Sequence, residues 1–266
     1  MTVMPTAGPG TAGRIAREQI EQGADLVLAA GGDGTFNEVA EGMTHSCSTL
    51  GILPAGTANV LATEMRLGSG PESAALSLEQ WQPRRISVGR VICDGGRVSR
   101  HFLLMAGAGL DAHVVTRVNP WLKARAGKFA YWAAGWSLLG RHLPEFQAEI
   151  DGHRSKCSFA LISKVRNYGG DFEIARGASL LEDCFEAVLF EGSSSFRYVK
   201  YFAGMALKRL PRTKGVTVLR ARRAVLSSPE NRPVYIQVDG ELAGQLPAEI
   251  EIVPDALTLL APPEYR

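Results

Sequence analysis

A chain of 266 residues is long enough for one large domain or two of ordinary size. Its composition, 45% hydrophobic and 21% charged with 29 Gly and 14 Pro, excludes collagen-like, disordered and disulfide-stapled classes. The formal charge of +2 hides an asymmetry: residues 1–85 carry 5 Lys/Arg against 9 Asp/Glu, and the remainder carries 24 against 18. Cys47, Cys93, Cys157 and Cys184 stand far apart with no CxxC pair, which argues against a zinc site or redox dithiol and suits reduced thiols in a cytosol. The first ten residues, MTVMPTAGPG, have neither the basic start nor the apolar stretch of a secretion signal. The most membrane-like run, Ala130 to Gly140, has 11 residues, whereas a spanning helix needs about 20.

In chain order, Thr11 to Gly23 reads as an amphipathic helix with Ala12, Ile15, Ala16 and Ile20 on one face. Leu26 to Ala30 is a short apolar run, as a strand buried on both faces would be. Phe36 to Met43 reads helical, Thr49 to Leu53 as another buried strand, and Ala58 to Met65 as another helix. Such alternation implies a parallel α/β sheet. After Pro83-Arg84-Arg85 the pattern changes, and a domain boundary is placed near residue 85. Strands are expected at 86–93, 98–105, 145–150, 157–165, 185–190, 216–219, 224–227, 234–238, 248–253 and 256–260. Asp94-Gly95-Gly96, Asp151-Gly152 and Asp239-Gly240 serve as hairpin turns. Helical stretches near 120–141 and 195–209 interrupt this mainly antiparallel second half.

The segment Leu26-Val-Leu-Ala-Ala-Gly31-Gly32-Asp33-Gly34-Thr35-Phe36-Asn37-Glu38 runs strand, glycine turn, helix. Three glycines in four positions let the backbone approach a bulky anion, and the following helix points free N–H groups at it. Asp33 would repel a phosphate unless a cation lay between them, which implies Mg²⁺; the bland alternative is a plain turn with Asp33 as an N-cap. The segment lacks the Gly-Lys-Ser/Thr of a Walker loop, and Asn37 stands where the last glycine of GxGxxG would be. A second strand, small-residue turn and helix follows at Gly51-Ile-Leu-Pro54-Ala-Gly56-Thr57-Ala-Asn59. Adjacent parallel strands would bring both turns to one sheet edge, where open α/β sheets bind ligands. Thr57 either caps its helix or hydrogen-bonds a nucleotide.

With these two motifs the chain resembles the diacylglycerol kinase catalytic family, which includes bacterial lipid kinases and the related sphingosine and ceramide kinases. NAD kinases and phosphofructokinases share a similar first motif; Leu53-Pro-Ala-Gly-Thr-Ala-Asn59 favours lipid kinases. Gly107-Ala-Gly-Leu-Asp-Ala112, Asn167-Tyr-Gly-Gly-Asp-Phe-Glu-Ile-Ala175, Ala178-Ser-Leu-Leu-Glu-Asp183-Cys-Phe185 and Val238-Asp-Gly-Glu241 match in the same order. The resemblance implies a phosphofructokinase-like α/β domain, a C-terminal β-sandwich and an ATP site between them. It places nucleotide contacts on Thr6, Gly31, Gly32, Asp33, Gly34, Thr35, Phe36, Asn37 and Thr57. It places a Mg²⁺ site on Asp183 with backbone carbonyls of Leu180 and Phe185, and the general base on Glu241. Cys184 departs from the glycine usual after the metal aspartate. The family's opening strand precedes the segment matching Thr6, so a sheet short of that strand is expected.

The chemistry follows from the residue types. Phosphoryl transfer needs in-line positioning and neutralised phosphate charge, and a lipid hydroxyl needs a carboxylate to take its proton. Glu241, just beyond a hairpin turn, suits that task, and Asp33 would hold catalytic Mg²⁺. Glu38 supports the helix, Asp111 either caps or contacts metal through water, and the five histidines show no metal spacing. Trp121, Phe129, Tyr131, Trp132 and Trp136 are candidates for an acyl groove or plain core. Seven cations between Lys208 and Arg223, namely Lys208, Arg209, Arg212, Lys214, Arg220, Arg222 and Arg223, form a solvated face or draw the enzyme to an anionic membrane. Lys123, Arg125 and Lys128 add a smaller group. No nucleic-acid motif accompanies the charge. The expectation is a cytoplasmic lipid kinase, peripheral at the inner membrane face, for which a homodimer is compatible with the family. An NAD kinase-like phosphotransferase and a catalytically silent nucleotide-binding protein remain as alternatives.

Overall fold

The computed structural model describes residues 2–68, 70–110, 140, 142–168, 172–229 and 233–265. The first half alternates as expected: α1 (Ala12–Glu21), β1 (Leu26–Gly31), α2 (Asp33–Met43), β2 (Thr49–Pro54) and α3 (Val60–Glu64). β1 and β2 pair in parallel from Leu26 opposite Thr49 to Gly31 opposite Pro54. Helix α4 (Pro71–Ser77) was not anticipated; its proline fills the first turn, where a missing N–H costs nothing.

The rest is antiparallel sheet: β3 (Gln82–Cys93), β4 (Val98–Phe102), β5 (Met105–Gly109), β6 (Phe146–Ile150), β7 (His153–Cys157), β8 (Phe159–Ser163), β9 (Asn167–Tyr168), β10 (Phe172–Glu173), β11 (Phe185–Phe190), β12 (Val216–Ala221), β13 (Arg223–Ser227), β14 (Tyr235–Val238), β15 (Glu241–Gln245) and β16 (Ala248–Ala261). Helix α5 (Phe196–Ala206) matches the second expected helical stretch. The first, near 120–141, lies outside the described residues.

Three sequence expectations are redrawn. The run 98–105 divides into β4 and β5, and 157–165 lies mostly in β8 with its start in β7. The two runs 248–253 and 256–260 form one strand, β16, because Pro254 and Asp255 sit in a register shift against β3 between Val253 and Leu257.

Two sheets result. One is ordered β12-β11-β8-β5-β14-β15; the other runs β1-β2-β16-β13-β6-β7, with β3 on the second side of β16 and β4 beyond it. The two sheets sandwich an apolar core that includes Val91, Phe102, Phe146, Ile162, Phe185 and Ile250. β16 antiparallels β3 along both halves of its length and also pairs in parallel with β2 at Thr258 and Leu259. Residue 85 falls within β3. The last strand therefore stitches the N-terminal α/β layer to the sandwich.

Candidate active site

β1 and β2 end side by side and deliver two glycine turns to the same edge. The Ala55 N–H donates to the Gly31 carbonyl (2.7 Å). Beyond it the turns touch backbone to backbone: a Cβ on Gly56 would stand 2.5 Å from the Gly32 Cα, so no side chain fits between them. Asn59, at a left-handed φ of 47°, folds its carboxamide onto Gly56, accepting from its N–H and donating to its carbonyl, both at 2.9 Å.

Asp33 locks the turns together. It stands first in α2, and its carboxylate accepts the N–H groups of Val60 (3.0 Å) and Leu61 (3.1 Å), capping the neighbouring helix α3. It caps α3 rather than its own helix α2. Burial pushes its carboxyl above the ordinary value of 3.8, opposed by those backbone donors. With the Asp33 N–H as a third backbone donor, three of the carboxylate's four lone-pair sites are engaged, so the acid keeps capacity for one further contact such as a hard cation.

The other residues expected at the turn behave differently. Thr35 lies under Gly31, its Oγ1 2.8 Å from where a Cβ of Gly31 would be. Phe36 is fully buried, and its N–H donates to the Gly32 carbonyl (3.0 Å). Asn37 is 4% exposed, and its Oδ1 is buried without a partner among the described residues. Thr57 is exposed and does not cap α3, whose N-cap position belongs to Asn59. Thr6 is exposed in the irregular segment before α1.

Glu241 reaches this turn from the other half of the chain. Asp239 and Gly240, at φ 47° and 84°, make the two-residue turn between β14 and β15. The Asp239 carboxylate points inward and accepts three N–H groups, from Leu103 (2.9 Å), Leu104 (3.0 Å) and Met105 (2.8 Å). Burial pushes its carboxyl up to about 7 against those donors, with Asp33 adding a smaller push in the same direction. The pinned turn sets Glu241 so that Oε1 lies 3.7 Å from the position of a Cβ on Gly34. Its Oε2 accepts from Arg100 on β4 (3.1 Å). The roles of Asp239 and Arg100 were missed in the sequence; the Asp-Gly pair signalled the turn, but nothing local named its distant targets.

An open groove of about 500 Å³ leads away from Glu241 along Glu38 and Glu41 of α2, with Gly10, Arg17 and Arg100 among its walls. Glu38 accepts the N–H groups of Gly10 (2.7 Å) and Ala12 (3.0 Å), fixing the start of α1 as the opposite wall.

The loop expected to hold a regulatory or structural Mg²⁺ carries a cation of its own, the Lys164 ammonium. Leu180 and Phe185 are buried and Asp183 is exposed. The Leu180 N–H donates to Tyr265 Oη (3.3 Å), and Phe185 stacks on Phe102 with ring centres 5.7 Å apart. Fully buried Lys164 donates from Nζ to Ser87 Oγ (2.9 Å) and to the Glu182 carbonyl inside the loop. Burial lowers this ammonium to about 8, with Cys184 and Asp183 opposing the shift. Cys184 Sγ in turn faces Arg220 (2.9 Å). A fixed ammonium on the loop's own carbonyl competes for oxygen lone pairs and repels a divalent ion. Among the described residues no group of three or more His, Cys, Asp and Glu is placed to hold a metal.

Glu64, at the end of α3, ties this region together: its buried carboxylate pairs with Arg166 (3.0 Å) and accepts Tyr265 Oη–H (3.1 Å). Asp111, the Gly169–Asp171 portion of the Asn167–Ala175 motif, the aromatics Trp121, Phe129, Tyr131, Trp132 and Trp136, and Lys123, Arg125 and Lys128 lie outside the described residues.

An N-terminal parallel layer bearing paired glycine turns, closed by an acid from an antiparallel sandwich, defines a phosphotransferase-type architecture. The diacylglycerol kinase catalytic domain matches residues 1–91, and the YegS C-terminal NAD kinase beta sandwich-like domain matches residues 105–261. The chain belongs to this lipid kinase family. It is 28% identical over 248 residues to a diacylglycerol kinase of Mycobacterium tuberculosis (strain ATCC 25618 / H37Rv), covering 91% of this chain and 79% of that one. It is 29% identical over 253 residues to a diacylglycerol kinase of Bacillus subtilis (strain 168), covering 92% and 80%. The crystal structure of a diacylglycerol kinase from Bacillus anthracis str. Sterne shares the fold at a TM-score of 0.75 and 20% identity, covering 97% of this chain and 84% of that one.

Proposed function

We propose that the chain transfers the γ-phosphoryl group of ATP to a hydroxyl of a diacylglycerol-like lipid. One observation carries this reading: the Glu241 carboxylate lies against Gly34, at the junction between the paired glycine turns and the open groove. The turns cradle the nucleotide phosphates on backbone N–H groups. Asp33 would hold the accompanying Mg²⁺, which supplies neutralisation of phosphate charge. The groove takes the hydroxyl-bearing headgroup against its polar walls. Glu241 accepts the hydroxyl proton as oxygen attacks phosphorus, while Arg100 holds the far oxygen of that carboxylate. On this reading, residues 1–85 cradle the nucleotide and form most of the groove wall, while Glu241 and Arg100 from residues 86–266 contribute the base and its partner. The enzyme visits the cytoplasmic face of the membrane peripherally; no helix among the described residues is long and apolar enough to cross it.

The test is to incubate purified protein with γ-labelled ATP, Mg²⁺ and separate lipid classes, with Glu241→Gln alongside. Labelled phosphatidic acid from diacylglycerol, reduced about 10²–10⁴-fold in the variant, is the expected result. Transfer at an undiminished rate in Glu241→Gln removes the base from this account.

A further inference from the structure

We infer that the ammonium of Lys164 is the resident cation of the 180–185 loop, which therefore holds its shape without a divalent metal. Lys164 follows β8, and its own N–H is fixed on the Leu104 carbonyl (2.8 Å). Its Nζ reaches Ser87 Oγ on β3 at 2.9 Å, and both groups converge on one oxygen, the Glu182 carbonyl, which Ser87 also engages at 3.2 Å. The ammonium is thus buried with neutral oxygens as its direct partners, the surroundings a small metal cation would otherwise take. The charge account is already closed. Three carboxylates, Glu182, Asp183 and Glu186, are matched around the loop by three cations, Lys164, Arg220 and Arg222, Arg220 being ion-paired with Glu182. A divalent ion added there would bring two unmatched charges into a partly buried loop.

The test uses the full chain without nucleotide or lipid, so it stands apart from the kinase reading. Mn²⁺ binding is followed by electron paramagnetic resonance in wild type and Asp183→Asn, and amide exchange of residues 180–185 in wild type and Lys164→Met. The expected result is identical Mn²⁺ binding in the first pair and about ten-fold faster exchange in Lys164→Met. A bound Mn²⁺ that Asp183→Asn removes overturns the inference, and so does unchanged exchange in Lys164→Met. The Mn²⁺ comparison remains decisive if Lys164→Met does not fold.

A separate observation concerns the outer face of α5. Tyr198, Tyr201 and Gly204 turn inward, whereas Phe196 (67% exposed), Val199 (50%) and Leu207 just past its end (68%) turn outward. Between Phe196 and Lys214 the sequence has six cations, Arg197, Lys200, Lys208, Arg209, Arg212 and Lys214, and no acid. The basic run expected between Lys208 and Arg223 divides here: Arg220 and Arg223 pair with Glu182 and Glu249, while Lys208, Arg209, Arg212 and Lys214 have no ion pair among the described residues. An apolar helix face rimmed by uncompensated cations complements an anionic phospholipid surface, with side chains entering the interface and ammonium groups at headgroup level. We propose that α5 and the turn after it dock the protein on anionic bilayers. This deepens the lipid-kinase reading by naming the docking surface, and rests on it for the purpose docking serves.

Co-sedimentation with phosphatidylglycerol-containing and pure phosphatidylcholine vesicles tests the docking. The wild type is expected on the anionic vesicles only, Arg209→Glu to bind at least about five-fold more weakly, and Phe196→Ser/Leu207→Ser to lose most binding with an unchanged unfolding midpoint. Undiminished binding in both variants overturns the proposal. So does a lowered midpoint with undiminished binding in Phe196→Ser/Leu207→Ser, which would mean that another part of the chain covers the face. A second copy covering it would appear as a dimer in sedimentation velocity that this double substitution dissociates, and also overturns it. Vesicle binding without phosphorylation of a short-chain soluble diacylglycerol would leave the docking intact and remove the kinase reading.

Discussion

Asp33 and Glu241 are two acids at one turn whose oxygens face different work. Both Asp33 oxygens are engaged by the start of α3, so Asp33→Ala leaves two backbone N–H groups without their acceptor and is expected to cost about 1–3 kcal/mol in urea unfolding, nucleotide absent. Glu241 is half-exposed and braces nothing but Arg100, so Glu241→Gln is expected to stay within about 0.5 kcal/mol of wild type while losing activity. Equal destabilisation by the two substitutions would contradict this separation. Asp239 belongs with Asp33: an asparagine keeps one acceptor oxygen for three N–H donors, and Asp239→Asn is expected to lower stability by about 1–3 kcal/mol and activity with it, because the turn bearing Glu241 loosens. The sequence made the two glycine turns at the ends of β1 and β2 legible, since an apolar run followed by glycines marks a strand passing into a tight turn. It did not make the carboxylate partners legible. Val60 lies 27 residues beyond Asp33, and Leu103 lies 136 before Asp239; no periodicity encodes such pairs.

Elements were readable where one face is buried and unreadable where neither face is. β1, β2, β8 and β11 are short apolar runs and were found within a few residues. β15, with the sequence Glu-Leu-Ala-Gly-Gln, is an edge strand exposed over much of its length and carries no alternation to read, although it bears Glu241. β7 is likewise an edge strand, polar at most positions. Helix α2 begins at Asp33, three residues before the expected start, because the Gly32 turn passes directly into the helix. The contact of α1 with α2 rests on a glycine pair that residue patterns do not mark: a Cβ on Gly42 would lie 2.2 Å from the Gly13 carbonyl oxygen, and one on Gly13 2.4 Å from the Glu38 carbonyl oxygen. Gly42→Ala is therefore expected to push the helices apart, costing about 1–3 kcal/mol by urea unfolding and raising KM for the lipid more than for ATP. An alanine accepted without loss of stability would show that the crossing has slack.

At the scale of the whole molecule, strand pairing and core packing cross the division expected near residue 85. β16 pairs with β3 and β13 in the sandwich and with β2 in the parallel layer, so the last strand of the chain completes the first sheet. One apolar cluster joins Phe36, Leu50 and Leu61 to Phe159, Tyr198 and Leu257, crossing the same division. Two units that share a strand and a core cannot unfold separately without opening both. A single calorimetric transition, with calorimetric and van't Hoff enthalpies equal, is therefore expected for the full chain. Leu257 is the place to probe it, being fully buried in β16 next to the register shift. Leu257→Ala is expected to lower stability by about 2–5 kcal/mol while preserving one transition, and to accelerate amide exchange in β1 and β2 as well as in β3. If exchange rises in the sandwich alone, or if a second transition separates from the first, the two halves are independent. The position of Glu241 against Gly34 would then depend on a docking equilibrium rather than on one continuous fold.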